Sequence, residues 1–246
     1  LGLAELQDYK YTGFGAKSKQ FGTNFFEYNN LGAGGEVKYG DVSSYSNGYS
    51  IASFMGRFNY SFADKYIATV NMRADGSSKF ADGNRWGVFP SASAAWRISE
   101  ESFFKESSLM NYVNSLKLRV GYGTTGNCNI GDYLYTTSIK ESDYPMNNNT
   151  GTLAYVLDTT LGNKNLKWET LRSTNVGLDV SLFNSRVNLT AEWYNNEVSD
   201  MLMKCVIPSS TGYTAQYQNV GKMRNRGFEL TLNTVNISCL LYTSPS

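Results

Sequence analysis

Apolar and polar side chains alternate with a period of two residues in seven separate segments of the chain. In residues 53–62, even positions carry Phe54, Phe58 and Phe62, whereas Arg57 and other mostly polar residues occupy odd positions. The same alternation recurs in residues 66–73, 86–98, 116–123, 175–182, 187–194 and 228–233. Because successive side chains of a strand point to opposite faces, this pattern predicts an all-β fold of antiparallel strands with one apolar and one polar face.

The length of the segments separates two classes of all-β protein. Strands of soluble sandwiches usually have about five or six residues, whereas a tilted membrane-spanning strand needs about 9–11. Residues 53–62 and 86–98 reach the longer length, which favours a transmembrane β-barrel. A soluble or secreted carbohydrate-binding β domain, with its apolar face turned to a core, is the alternative.

Short and long connections between the segments also alternate. Residues 63–65 and 184–186 predict tight turns, and the link over residues 99–114 leaves room for a short helix over residues 101–112. The longer polar loops cover residues 75–85, 126–167 and 208–216. Aromatic residues near the predicted strand ends are Tyr66, Trp86, Trp96, Tyr122 and Trp168. Long loops at one end, short turns at the other and aromatic girdles at both interfaces are typical of outer-membrane barrels.

Composition argues against several functions. Among 246 residues, 22 Lys plus Arg balance 21 Asp plus Glu, and a net charge of +1 argues against a nucleic-acid partner. The absence of His excludes Ser-His-Asp and Cys-His triads and His-bearing zinc sites, and it disfavours an outer-membrane enzyme. Cys128, Cys205 and Cys239 are too few and too distant for a disulfide framework or metal cluster. We therefore expect no enzymatic activity and no cofactor.

Glycines of residues 121–126 match the letters of a dinucleotide-binding fingerprint. That fingerprint requires a following helix to hold the pyrophosphate, and a predicted loop follows here. The motif is therefore interpreted as glycines at the end of a strand.

The longest loop, residues 126–167, combines aromatic and amide side chains. These groups suit recognition of sugars or peptides by stacking and hydrogen bonding, although ordinary loops have similar compositions. Because loops of this length are often functional, we select as candidates for substrate or partner contact Tyr133, Tyr135, Asp143, Tyr144, Asn147 and Tyr155.

Several ordered motifs resemble the SusC/RagA family of TonB-dependent outer-membrane transporters. They are Arg57-Phe-Asn-Tyr-Ser-Phe-Ala-Asp-Lys-Tyr66, Arg73-Ala-Asp-Gly-Ser-Ser-Lys-Phe80, Phe89-Pro-Ser-Ala-Ser-Ala-Ala-Trp-Arg-Ile98, Leu116-Lys-Leu-Arg-Val-Gly-Tyr-Gly-Thr-Thr-Gly-Asn127, Asn165-Leu-Lys-Trp-Glu169, Asn175-Val-Gly-Leu-Asp179 and Asn219-Val-Gly-Lys-Met-Arg-Asn-Arg-Gly-Phe-Glu229. The match covers about residues 53–236, in the family's order.

This resemblance implies a barrel of about 22 strands with a plugged lumen, in the outer membrane of a Gram-negative bacterium. Outer-membrane lipids would surround it. It also implies import of oligosaccharides or peptides, energy supplied through a TonB complex, and a SusD-like surface lipoprotein as partner.

The family's plug, its N-terminal TonB-contacting segment and its earlier strands are not recognised in this sequence, so we interpret the chain as a C-terminal fragment of the barrel. Residues 1–50 are predicted to be a loop-rich lead-in, and residues 51–237 to be barrel strands with long extracellular loops. Residues 238–246, where the alternation has stopped, resemble translated non-native sequence. We expect an open, curved and twisted antiparallel sheet of about seven to nine long strands.

The alternation also predicts which residues face lipid and which face the lumen. Lipid-facing positions are Phe58, Tyr60, Val70, Leu118, Val120, Leu178, Val180, Leu189, Ala191 and Leu230. Lumen-facing positions are Arg57, Asn71, Arg97, Lys117, Arg119, Asp179, Glu192 and Glu229.

Overall fold

In a computed structural model of the chain, the structure describes residues 1–25, 27–37, 40–146 and 150–236, with the backbone alone for residues 141–146 and 150–154. The candidate contact residue Asn147 and the predicted tail of residues 238–246 lie outside these described residues, and only the backbone is described for Asp143 and Tyr144. None of the helices in the described ranges is long and apolar enough to cross a membrane.

Fifteen strands, one short α-helix and four 3-10 helices (Leu31–Ala33, Ile98–Glu100, Ser108–Asn111 and Ser209–Thr211) make up the regular structure of the described residues. In chain order the strands are β1 (Gly2–Ala16), β2 (Lys19–Phe21), β3 (Gly34–Glu36), β4 (Val42–Phe62), β5 (Tyr66–Ser77), β6 (Trp86–Arg97), β7 (Val113–Asn127), β8 (Ile139–Met146), β9 (Thr150–Leu157), β10 (Thr160–Leu161), β11 (Glu169–Leu182), β12 (Val187–Ser199), β13 (Leu202–Val206), β14 (Ala215–Asn219) and β15 (Lys222–Thr234). Helix α1 covers Ser102–Lys105, inside the link where a short helix was expected.

Eight long strands form one antiparallel sheet in the order β1-β4-β5-β6-β7-β11-β12-β15. Each long strand pairs with the next long strand along the chain, and this sheet does not close into a barrel. The remaining strands form small sheets inside the long connections: β2-β3, β8-β9 and β10-β14-β13. The predicted open sheet of seven to nine long strands is therefore confirmed.

Tight turns join two of the strand pairs at the end opposite the long loops. Ala63 and Asp64, between β4 and β5, have φ values of 51° and 55°. Asn184 and Ser185, between β11 and β12, have φ values of 55° and 62°. Consecutive left-handed residues are the geometry that matches the twist of a hairpin, and Asp and Asn tolerate it well.

The register places the apolar residues of neighbouring strands side by side. One cross-strand row runs Tyr60, Ala68, Ala94, Val120, Val176, Trp193 and Phe228. These side chains are not covered by a second sheet: Tyr60 is 51% exposed and Phe228 is 68% exposed. A soluble sandwich would bury this face, so the exposed apolar surface disfavours the alternative of a soluble β domain.

The structure corrects the prediction for residues 1–50. Instead of a loop-rich lead-in, β1 covers 15 residues and pairs along its whole length with β4, which begins at Val42 rather than near residue 51. The sequence did not reveal β1 because Leu3 and Leu6 fall on opposite faces and break the alternation. Its regularity comes from the backbone ladder with β4.

A second correction concerns Trp168, which was assigned to a membrane girdle. The structure instead buries it at the loop end, where its indole Nε1 donates to the carbonyl of Arg85 at 2.8 Å. The residues of this loop-end core are Phe80, Phe89, Ile130, Leu166 and Trp168, with Cys128, Leu134, Leu202 and Tyr217 packed around them. Through this core, the connections after β5, after β7 and after β12 pack against the loop ends of the strands.

Candidate substrate-facing surface

A network of charged side chains crosses the polar face of β7, β11 and β12. The Arg119 guanidinium donates to both carboxylate oxygens of Asp179, at 2.8 and 3.1 Å, and its Nη2 lies 3.4 Å from Glu192. Asn175 donates to Glu192 at 3.2 Å, and Thr190 donates to Asp179 at 3.2 Å. Two carboxylates therefore hold one guanidinium in a fixed orientation, in the fork geometry that Arg favours.

Gly177 creates the space for this arrangement. It lies directly opposite Arg119 in the β7–β11 register. A Cβ atom at Gly177 would approach the Arg119 Nη2 to 2.8 Å and its Cζ to 3.0 Å. The missing side chain lets the guanidinium lie across β11 and reach Asp179, which is in register with Lys117.

Nearer the loops, the polar face carries a groove of about 570 Å³. Its lining includes Arg57, Asn71 and Arg73 together with Phe89 and Trp168 of the loop-end core. The Arg73 Nε donates to both oxygens of the largely buried Asp75 at 2.8 Å, so its charge is compensated. Within the described residues, the ion pairs do not include Arg57, whose Nε donates to the Asn59 amide oxygen at 3.2 Å. A guanidinium without a carboxylate partner, in a groove that also contains aromatic rings, can bind anionic or aromatic groups.

A cluster of tyrosines occupies the polar face of β1 and β4 at the loop end. Tyr9 lies 5.4 Å from Tyr49 between ring centroids, and Tyr11 lies 6.2 Å from Tyr45. Gly13 leaves room for the Tyr45 ring in this position, since a Cβ atom at Gly13 would come 2.5 Å from the ring and displace it. A groove of about 300 Å³ beside Tyr9 and Tyr49 is also lined by Tyr133 of the long loop. Flat amphipathic rings of this kind suit sugar rings and peptide side chains.

Lys79 and Asp132 form an ion pair that holds two loops against this tyrosine cluster. Their side chains are 12% and 8% exposed, and Nζ lies 3.8 Å from Oδ1. Lys79 also donates to the Ile130 carbonyl at 2.9 Å and lies 4.3 Å above the Tyr49 ring. Tyr11 donates its hydroxyl to Asp132 at 3.1 Å. The start of the 128–168 connection is thereby fixed against β1 and β4.

The predicted loop residues are only partly brought together. The rings of Tyr133 and Tyr135 lie 6.4 Å apart, and Tyr133 is half exposed beside the tyrosine cluster. Tyr155 is exposed on β9, with no ring contact to either of them among the described side chains. Asp143 and Tyr144 lie on the β8 backbone, where Tyr144 pairs with Thr152.

The residues predicted to face the lumen share one face in the structure. Arg57 lines the larger groove, Lys117 and Arg119 lie beside Asp179, and Glu192 contacts Arg119. Arg97 is in register with Lys117 and is exposed at the turn end of β6. The sequence missed the tyrosine cluster and the Lys79–Asp132 pair, because β1 had no readable alternation and because 53 residues separate Lys79 from Asp132.

At the turn end of the sheet, Glu101 makes contacts between two connections, β4–β5 and β6–β7. Its carboxylate accepts from the Tyr66 hydroxyl at 2.7 Å, from Lys65 Nζ at 2.9 Å and from the Trp96 indole at 3.1 Å. These donors, Tyr66 foremost, lower the pKa of Glu101 to about 2. The Glu101 carboxylate therefore connects the β4–β5 turn with the segment between β6 and β7.

The sequence matches the family described as TonB dependent receptor-like, beta-barrel over residues 2–243. The chain belongs to this family. Its members span the outer membrane of Gram-negative bacteria as β-barrels, so the exposed apolar face of the sheet faces lipid.

Curated relatives confirm the resemblance to SusC. TonB-dependent receptor P26 of Formosa agariphila is 40% identical over 213 residues, which cover 85% of this chain and 21% of the relative. TonB-dependent receptor SusC of Bacteroides thetaiotaomicron is 37% identical over 205 residues, covering 80% of this chain and 20% of SusC. This family member thus spans about a fifth of the length of these receptors.

Solved structures agree. A chain of the RagAB peptide transporter superposes with a TM-score of 0.80 at 31% identity, covering 93% of this chain and 24% of that one. The same transporter in a closed-closed state gives a TM-score of 0.81 at 30% identity, covering 96% and 25%. The open sheet therefore corresponds to part of a receptor barrel. These relatives are named as receptors and transporters, not as enzymes.

Proposed function

We propose that this chain is part of the barrel wall of an importer that takes up oligosaccharides or peptides across the outer membrane. The observation that supports the proposal is the separation of the two faces of the sheet: the row from Tyr60 to Phe228 lies on the apolar face, and the Arg119–Asp179–Glu192 network lies on the opposite, polar face. A charged network is stable on the wet side of such a wall and costly on its lipid side.

The proposal includes the partners that the SusC/RagA resemblance implies. A plug inside the barrel would respond to TonB through a segment that precedes this region, and a SusD-like lipoprotein would cover the loop end. The loops fit that role because the Lys79–Asp132 pair and the loop-end core hold them in a defined shape. A preorganised rim reduces the entropy lost when substrate or lipoprotein binds.

We assign substrate contact to the tyrosine cluster and to the adjoining loop residues Tyr133 and Tyr135. The rings of Tyr9, Tyr45 and Tyr133 are each about half exposed on the polar face or beside it. Asp143, Tyr144, Asn147 and Tyr155, chosen from the sequence, remain proposed contact residues of the same loop. Stacking on exposed rings with nearby hydrogen-bonding groups would hold a sugar or peptide while leaving it free to move on.

Deletion of the full-length gene in its native host tests the importer. We expect growth on one class of oligosaccharide or peptide to fail, while growth on the corresponding monomers is unchanged. Restoration by the wild-type gene shows that the loss belongs to this protein. Unchanged growth on every substrate, together with no saccharide or peptide binding by the purified full-length protein, would contradict the proposal.

Variants of the loop test the contact surface. We expect Tyr133→Ala with Tyr135→Ala to weaken substrate binding about thirtyfold, since two ring-stacking contacts of roughly 1 kcal/mol each sum to about 2 kcal/mol. The exposed Tyr28, in the connection between β2 and β3, provides the matched control Tyr28→Ala. Removal of residues 144–161 in the folded receptor should abolish uptake or lipoprotein capture. If both survive, that part of the loop has no contact role.

A further inference from the structure

The larger groove of the polar face lies inside the sheet and not at its margin. Its lining comes from β4, β5, β6 and β7 together with Cys128 and Trp168, and each of these four strands has a strand neighbour on both sides. Its volume of about 570 Å³ falls within the range of small-molecule sites, roughly 300–1,000 Å³. The rings of Phe89 and Trp168 pack against each other, 5.6 Å apart between centroids. The groove therefore has room for a sugar unit or a peptide side chain.

The charged residues of the lining carry a surplus positive charge. Among the residues that the structure describes, those that line the groove and carry a charge are Arg57, Arg73 and Asp75. Two cations and one carboxylate leave a net charge of +1. Asp75 is paired with Arg73, since the Arg73 Nε lies 2.8 Å from both of its carboxylate oxygens. The surplus charge therefore belongs to Arg57.

Arg57 and Arg73 are diagonal neighbours on two paired strands. In the β4–β5 register, Arg57 is opposite Asn71 and Arg73 is opposite Met55. Diagonal positions on one face of a sheet lie about 7–8 Å apart, which is within reach of long side chains. A single anion in the groove can therefore contact both guanidinium groups.

Both guanidinium groups keep N–H donors that the described contacts do not use. The Arg57 Nε donates to the Asn59 amide oxygen at 3.2 Å. Arg73 uses Nε for Asp75 and Nη2 for the Ser53 hydroxyl at 3.2 Å, and its side chain is still 44% exposed. Each guanidinium has five N–H donors, arranged in a planar fork that matches a carboxylate. The contacts with Asn59, Asp75 and Ser53 therefore orient the two groups and leave donors for an anion.

We propose that this groove binds a carboxylate of the transported substrate, so that the importer prefers acidic oligosaccharides or acidic peptides to neutral ones. The carboxylate would accept hydrogen bonds from Arg57 and Arg73 and neutralise the surplus charge. Hydrogen bonds between ionised partners are about twice as strong as those between neutral partners. The inference rests on the proposed transport function and adds to it the charge of the substrate.

The test uses the full-length receptor, purified in mild detergent, and two matched pairs of probes. One pair is an oligogalacturonate and its methyl ester. The other pair is a tripeptide with a central glutamate and its glutamine counterpart. Isothermal titration calorimetry measures the Kd of each probe. We expect one acidic probe to bind about tenfold more tightly than its neutral counterpart, and the pair in which this occurs identifies the source of the carboxylate.

Two variants assign this preference to the groove. Arg57→Gln removes the surplus charge, and Asn71→Asp places a competing carboxylate directly opposite Arg57. We expect each variant to weaken binding of the acidic probe about tenfold and to leave the Kd of its neutral counterpart unchanged. Arg97→Gln is the matched control, because Arg97 is an exposed arginine in β6 that does not line the groove. It should keep the preference of the wild type.

Equal binding of acidic and neutral probes, or no binding of either acidic probe, would overturn the proposal. So would an unchanged preference in Arg57→Gln. In that case, a lower urea-unfolding midpoint for Arg57→Gln than for Arg97→Gln would identify a carboxylate of the receptor itself as the occupant.

The transport proposal can fail separately. Normal growth of the deletion strain on every substrate counts against transport even if an acidic probe binds. Loss of growth on a neutral substrate alone supports transport and contradicts the preference for acidic substrates.

Discussion

Arg119 and Asp179 form a two-hydrogen-bond pair across β7 and β11 although they are not in register with each other. Arg119 is opposite Gly177, and Asp179 is opposite Lys117. The guanidinium crosses the empty position at Gly177 and meets the carboxylate diagonally, at 2.8 and 3.1 Å. One glycine thereby converts two separate strand positions into a fixed charged unit on the polar face.

Gly177→Ala should disturb this pair. An added methyl group would stand 2.8 Å from the Arg119 Nη2, so the guanidinium must move from Asp179. Alanine in a strand otherwise stabilises by roughly 0.5–1 kcal/mol relative to glycine, and we expect Gly177→Ala to lose that gain. Gly121→Ala is the control, because its nearest neighbour would be 4.0 Å away. Urea unfolding of the full-length receptor in detergent measures the free energy of unfolding of both variants. Equal stabilisation by Gly177→Ala and Gly121→Ala would disprove the steric role of Gly177.

The two faces should respond differently to charge. We expect Val120→Arg to destabilise the full-length barrel by roughly 2–4 kcal/mol, because it places a cation on the lipid side. Arg119→Ala on the adjacent position should cost about 1 kcal/mol or less, since Lys117 and Thr190 remain beside Asp179. Urea unfolding or heat-dependent gel migration compares the two. Losses of equal size would contradict the assignment of the faces.

Acid should weaken the contacts at the turn end. The pKa of Glu101 is lowered to about 2, below its ordinary value of 4.5, so its contribution to stability is complete above pH 4.5 and is lost as the pH falls through about 2. We therefore expect Glu101→Gln to be less stable than wild type at pH 7, with the difference shrinking towards pH 2. Unfolding midpoints of the two proteins across this range measure it. A difference that stays constant with pH would show that the carboxylate charge is unimportant.

Trp168→Phe should loosen the loops while leaving the sheet intact. It removes the hydrogen bond from the indole to the Arg85 carbonyl, at a cost of about 1 kcal/mol, and reduces contact with Phe80 and Phe89. Limited proteolysis of the folded receptor should then cut the 128–168 connection faster. Trp193→Phe, on the exposed apolar face, is the control and should leave the cleavage rate unchanged.

The sequence predicted those parts of the fold that depend on local alternation. β5, β7 and β12 have readable patterns because each strand has one lipid-facing side, and a period of two follows directly. β1 has no such pattern, since Leu3 and Leu6 fall on opposite faces. Its pairing with β4 rests on backbone hydrogen bonds, which the alternation of side chains does not predict.

The candidate site was less predictable, because its contacts join distant residues. The parity of their positions predicts one face for Arg119 and Glu192, but their contact and the pair of Arg119 with Asp179 depend on the register between strands. Trp168 is an aromatic residue near a strand end, as girdle residues are, but the structure buries it. Its partners Phe80 and Phe89 come close to it only after folding. Lys79 and Asp132 carried no motif that linked them.

The uneven connections between long strands set an order of assembly for the sheet. β4 joins β5 through three residues, whereas about 40 residues separate β7 from β11. Closing the longer connection costs about 2 kcal/mol more in chain entropy, so we expect the β4–β5 and β11–β12 hairpins to form before the seam between β7 and β11. Trp168 immediately precedes that seam and packs on Phe89. The loop-end core can therefore bring the two hairpin units together and start the pairing of Asn127 with Glu169, from which the seam closes towards the turn end.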